Sequence, residues 1–89
     1  MVATHEIKLH RRYCDRVCSG DKTAELRYND RDYQKGDIIH FIPVDDKDRV
    51  EVDPPRHEIQ QKEYWITHVL SHADGLCSGY VMLSIKEVK

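Results

Sequence analysis

No stretch of this chain approaches the roughly 18–20 consecutive apolar residues that a membrane-spanning helix requires. Its longest apolar runs are strand-length. The segment Met1-Val2-Ala3-Thr4-His5-Glu6 has neither the basic start nor the apolar stretch of a secretory signal, so the expected compartment is cytoplasmic, with no membrane partner. There is no internal repeat and no low-complexity tract. A basic surplus is missing too: 14 Lys and Arg face 16 Asp and Glu, a net charge of −2. A protein that grips a long duplex by its phosphates is far more basic, so any nucleic-acid contact is expected at a local site. The three cysteines, Cys14, Cys18 and Cys77, are an odd set, which argues against a disulfide scaffold. With His72 they can be drawn as a zinc site, but the close C-x-x-C spacing of structural zinc is missing. The expected reading is three reduced cysteines acting as small core hydrophobes, with no metal and no cofactor.

What is there suits one domain spanning residues 1–89. Hydrophobic residues are 39% and charged residues 34% of the chain, too apolar for a disordered tail. A domain of this size buries roughly 60–65% of its unfolded surface, and its expected stability is on the order of 5 kcal/mol. Charge is unevenly spread. Residues 1–36 carry 8 basic and 6 acidic side chains, residues 37–63 carry 4 and 8, and residues 64–89 carry 2 of each. Six histidines make the charge sensitive to pH just below neutral.

Hydrophobic periods divide the chain into elements. His5, Ile7 and Leu9 alternate with Glu6 and Lys8, a strand pattern. From His10 to Ser19 the period changes, with Tyr13, Cys14, Val17 and Cys18 on one helical face. Gly20 stands where a left-handed helix stop belongs. Thr23–Tyr28 returns to period two, and hydrophobicity puts Ala24, Leu26 and Tyr28 on the core face. Ile38–Ile42 is apolar on both faces, as in a central strand. Residues 45–57 are acidic and contain Pro54-Pro55, which predicts an exposed loop with a partial hairpin around Val50 and Val52. Glu58–Leu70 reads as a long strand, best in Tyr64–Leu70, and Tyr80–Val88 as the last strand. The fold class is α+β: one helix near the N-terminus and about five strands. So few helices argue against parallel crossovers, and a small, mostly antiparallel, closed or nearly closed barrel follows. Val17, Ala24, Leu26, Ile39, Phe41, Val81, Leu83 and Ile85 are its expected core.

The informative motif is Gly20-Asp21-Lys22-Thr23-Ala24-Glu25-Leu26-Arg27, or G-x-K-T-x-E-x-R. It brings an ammonium, a hydroxyl, a carboxylate and a guanidinium together where a helix hands over to a strand. On local chemistry alone the bland alternative is a surface salt-bridge cluster worth about 0–1 kcal/mol. The motif resembles the signature of the ASCH superfamily. His5-Glu6-Ile7-Lys8-Leu9, Asn29-Asp30-Arg31-Asp32-Tyr33, Gly36-Asp37-Ile38-Ile39 and Gly79–Ile85 extend the likeness to one small bacterial and phage subfamily of unknown function. The resemblance covers about residues 5–86 and fails mainly in the acidic loop.

The resemblance implies a five-stranded PUA-like β-barrel with one N-terminal helix. It also implies a cleft between barrel and helix that takes RNA or a nucleotide. Lys22, Glu25 and Arg27 carry over onto the motif. Lys22 then offers an ammonium to a phosphate or carbonyl oxygen, and Arg27 offers a planar fork to a phosphate or base edge or fixes Glu25. Glu25 accepts from an exocyclic amine. Thr23 shares their strand face, His5 is placed near Lys22 if the first strand pairs beside Thr23–Tyr28, and Tyr33, Trp65 and Tyr80 are candidate stacking platforms. Tyr28 is assigned to the core by strand phase.

The leading expectation is a module that binds RNA or a (modified) nucleotide or nucleoside around this motif. Some ASCH relatives are small amidohydrolases that deacylate a modified cytidine with a lysine and a nucleophilic threonine, which makes amidohydrolase the alternative, with Lys22 and Glu25 as candidate catalytic groups. Glu25 stands where that threonine belongs, so an enzyme is the less favoured reading. A third alternative is a protein-interaction module working through acidic loop 45–57.

Overall fold

Strand β1 (Thr4–His10) buries His5, Ile7 and Leu9 and exposes Thr4, Glu6 and Lys8, the alternation that one covered face demands. The structure, a computed structural model, describes residues 2–45, 47, 49 and 57–89. Helix α1 (Arg11–Ser19) follows β1 directly, and the His10 imidazole accepts the Arg12 N–H at 3.2 Å in its first turn. Gly20 ends the helix at φ 87°, with its N–H returned to the Val17 carbonyl, a conformation that glycine adopts at no steric cost. The helix buries Cys14 and Val17 and half-buries Cys18, while Tyr13 stays exposed.

Strands β2 (Ala24–Tyr28), β3 (Ile38–Val44), β4 (Tyr64–Leu70) and β5 (Tyr80–Glu87) complete one sheet in the order β1-β3-β4-β5-β2. It curls into a half-barrel. As expected, β3 is internal. The pairs β3/β4, β4/β5 and β2/β5 are antiparallel, but β1 and β3 run parallel from Thr4 opposite Ile38 to His10 opposite Val44. The sheet is therefore mixed: mostly antiparallel, as expected, but with one parallel pair at the β1 edge. A single helix does suffice for a parallel pair here, because residues 11–37 also lay β2 on the far edge and the two elements together make the crossover. A β-bulge interrupts β4 between Ile66 and His68. The first part of the predicted long strand is instead a 3-10 turn, Glu58–Gln61, in which the His57 imidazole accepts the Ile59 N–H at 3.0 Å. The predicted hairpin around Val50 and Val52 lies outside the described residues.

The core forms between α1 and the concave face, with Ile7, Ile39, Phe41, Ile59, Ile66 and Leu83 all but sealed from solvent. Val17, Ile39, Phe41, Val81, Leu83 and Ile85 lie there as expected. Strand β2 does not: Leu26 is 52% exposed and Glu25 only 6%. Its phase is the reverse of the predicted one, because Glu25 finds cationic partners inside. Tyr28 is likewise on the surface.

A second buried polar group organises the turn before β3. Asp37 accepts from the His5 ring (2.8 Å), the Gln34 N–H (3.1 Å) and the Ala3 N–H (3.3 Å). Burial disfavours its charge, but these three donors outweigh burial and hold the carboxyl below the usual carboxylate range. A carboxyl depressed on folding stabilises the fold fully above its unfolded value near 4, and that contribution disappears as pH falls through the lower folded value. The stability difference between wild type and Asp37→Asn, followed by urea unfolding from pH 7 to pH 2.5, is therefore expected to shrink below about pH 4. A constant difference would contradict the assignment.

The cysteines separate. Cys14 is buried, its thiol donating to the Leu9 carbonyl and pushed up to about 12, first by burial and then by neighbouring Cys18. Cys18 is half-buried, also with a raised pKa from burial. Cys77 is exposed on the 71–79 loop rather than in the core. Among the described residues no three His, Cys, Asp or Glu side chains are grouped to hold a metal ion, and no helix is long and apolar enough to cross a membrane.

Candidate functional site at the seam between the first two strands

The half-barrel leaves β1 and β2 as facing edges that share no ladder. Ile85 donates to the Thr23 carbonyl and Asn29 to the Gly79 carbonyl, so in this register Glu25 and Arg27 turn their main chain towards β5. Ala24, Leu26 and Tyr28 turn theirs towards the seam. Side chains bridge the gap. The Arg27 guanidinium donates to the Lys8 carbonyl, and Arg31 donates to the Glu6 carbonyl at 2.6 Å. Two arginines from the β2 side thus occupy acceptors that a neighbouring strand would otherwise take.

Glu25 sits at the floor of this seam. Oε1 accepts from Lys22 Nζ at 2.8 Å, and Oε2 accepts from Arg27 Nη2 at 2.8 Å and Nε at 3.1 Å. Lys22 also donates to the Ala24 carbonyl. The helix stop at Gly20 makes this possible: the Lys22 N–H returns to the Arg16 carbonyl (3.0 Å), which turns the connection back under β2. Glu25 and Arg27, two apart on a strand, share the inner face. A buried carboxylate held by two cations is the charge-assisted arrangement that fixes both partners' geometry.

Above the trio is a groove of about 400 Å³, with Lys8, His10, Tyr13, Arg27, Tyr28 and Tyr80 in its walls. Tyr28 and Tyr80 meet edge to face, ring centroids 5.5 Å apart. Lys22 opens instead on a neighbouring hollow of about 370 Å³ with Gly20, Thr23, Tyr64 and Lys86. On the other side of the Tyr28–Tyr80 pair lies a hollow of about 470 Å³ walled by Asn29 and the 71–79 loop.

The structure brings together Lys22, Glu25 and Arg27, with Tyr80 at the mouth and Thr23 exposed in the adjoining hollow. His5 and Tyr33 are elsewhere, buried and packed edge to face at 4.8 Å, with His5 committed to Asp37. β1 pairs with β3 and not beside β2, which takes His5 away from Lys22. Trp65 lies on β4 opposite Ile38 and Lys86, outside the seam. Sequence reasoning missed Lys8, His10 and Tyr13 as groove residues. Tyr13 was assigned to the buried helical face, and only the i, i+3, i+4 spacing of Cys14, Val17 and Cys18 without it signals that the helix needs no further apolar residue there.

Residues 4–85 match the profile of a family described as a domain of unknown function (DUF3850), and the chain belongs to that family. It is also similar to an uncharacterized 12.9 kDa protein in the GpA 3′ region of Escherichia phage P2, 49% identical over 39 residues. That match takes in 44% of this chain and 36% of the phage protein.

Proposed function

We propose that the chain is an ASCH-related, PUA-like module that binds RNA or a (modified) nucleotide or nucleoside in the seam groove. The observation that carries the reading is the Glu25 carboxylate, fixed by Lys22 and Arg27 beneath a groove that also offers Lys8, His10 and three tyrosines. Cations suit phosphate, the fixed carboxylate suits an exocyclic amine, and tyrosine faces suit bases. Binding is favoured over the amidohydrolase alternative because no hydroxyl nucleophile occupies position 25.

A ligand that binds only the native state raises its unfolding midpoint by mass action. The test is a thermal-shift screen of ribonucleosides, ribonucleoside monophosphates and short RNAs, followed by titration of the best ligand. Arg27→Ala is expected to weaken its binding by about 1–3 kcal/mol, the range for hydrogen bonds to charged groups. Because Arg27 also bridges the seam, Lys8→Ala, which removes a groove cation without touching Glu25, is measured beside it and is expected to weaken binding in the same direction. A screen in which no compound shifts the midpoint, or in which both variants bind as wild type does, would overturn the reading.

A further inference from the structure

We infer that the occupant of the seam is a single strand of RNA at least two nucleotides long, lying astride the Tyr28–Tyr80 ridge, rather than a free nucleoside; this rests on the nucleotide-binding reading above. Three observations converge on it. The first is shape. The groove of about 400 Å³ and the hollow of about 470 Å³ share Tyr28 and Tyr80 as their common wall. Each falls in the size range of a small-ligand site. A single nucleoside fills one and leaves the other empty.

The second is the way the ridge is held. Tyr28 is 57% exposed and Tyr80 40%, so neither ring is sealed in a core. Yet neither is loose. The Tyr28 ring lies against Gly79, where a β-carbon would stand 2.7 Å from Cε1, and its edge-to-face partner is Tyr80. Gly79, at φ 84°, thus provides both the turn into β5 and a seat for the ring. Exposed aromatic rings held in place are what base stacking uses, since little side-chain freedom is lost on binding.

The third is a division of chemistry across the ridge. The seam side holds the cations, Lys8 and Arg27. Among the described residues the far side has no Lys or Arg in its walls; it presents the Asn29 amide, the Ser71 and Ser78 hydroxyls and the His72 imidazole. Neutral donors and acceptors suit a base edge or a ribose, and cations suit a phosphate. A phosphate on the seam side linking a nucleoside in each hollow matches that order. Strand β2 and its flanks supply the length, for the seven residues from Thr23 to Asn29 span roughly 20 Å of extended chain.

The experiment is isothermal titration of the four ribonucleoside monophosphates and the four corresponding homopolymeric RNA tetranucleotides. The proteins are wild type, Tyr80→Ala, the double variant His72→Ala/Ser78→Ala and Lys8→Ala. The best tetranucleotide is expected to bind at least about tenfold more tightly than its monophosphate. Tyr80→Ala should weaken the tetranucleotide by about ten- to a hundredfold. His72→Ala/Ser78→Ala should remove most of its advantage while leaving the monophosphate within about twofold. His72 and Ser78 are exposed, so this variant carries the test should Tyr80→Ala lower the unfolding midpoint. If tetranucleotide and monophosphate bind equally and only Lys8→Ala weakens them, the two-hollow proposal fails and the seam reading stands. If neither class of ligand binds wild type, both fail.

Discussion

Truncating Glu25 to alanine is expected to cost about 2–4 kcal/mol of stability, and truncating its neighbour Leu26 less than about 0.5 kcal/mol. Hydrophobicity alone predicts the opposite order. Leu26 is 52% exposed and Glu25 6%. Removing a leucine already half in water forfeits little transfer free energy. Removing the Glu25 carboxylate leaves Lys22 and Arg27 facing one another without their counter-charge, and breaking a buried pair on one side costs about 3–5 kcal/mol. The lower range here reflects the two cations, whose side chains keep 22% and 27% of their exposure and so regain water when the carboxylate is lost. Glu25→Gln preserves the shape and accepts hydrogen bonds, so it should fall between the two. Urea unfolding of the three variants decides the phase of β2. A large loss at Leu26 with none at Glu25 would reverse it.

Phe41→Ala is the other large expected effect, about 3–5 kcal/mol. Phe41 is fully buried in the middle of β3 and packs edge to face on Tyr64, centroids 5.5 Å apart. Strand β3 lies between β1 and β4, so the cavity opens at the centre of the sheet, where neighbours are least free to collapse into it. With a total stability on the order of 5 kcal/mol, such a loss leaves a protein near its unfolding midpoint in plain buffer. Leu83→Ala, equally buried on β5, should cost about 2–5 kcal/mol. An unchanged urea midpoint for either variant would contradict the packing described.

Period changes and the one left-handed glycine at the helix end were enough to place the helix and all five strands, because those signals are local. Three features were not local. Alternation in Thr23–Tyr28 marks a strand but does not say which face is inward, and the usual preference for burying Leu26 loses to a carboxylate whose two cations lie three residues before and two residues after it. The parallel pairing of β1 with β3 depends on β2 leaving for the far edge, which no window of sequence contains. The 3-10 turn at Glu58–Gln61 rests on the His57 side chain accepting the Ile59 N–H, a cap that histidine seldom announces. The motif residues Lys22, Glu25 and Arg27 were found together because their spacing fits a turn followed by one strand face. His5 and Tyr33 were drawn to the site by residue type, yet their neighbours, Asp37 and each other, hold them in the interior.

The strand order also governs when this fold can form. Strand β2 has one ladder partner, β5, and β1 has one, β3. Neither β1 nor β2 pairs with its immediate successor. As the polypeptide is made from its N-terminus, β1 and β2 both wait unpaired, and β2 waits until Tyr80–Glu87 arrives. Long sequence separation between paired strands slows folding through the loop entropy that must be lost before any contact is gained. Release of a chain shortened before β5 therefore leaves two strands without a partner at once, β2 entirely and β4 along most of its length, and such a fragment presents the unpaired edges that recruit other chains into aggregates.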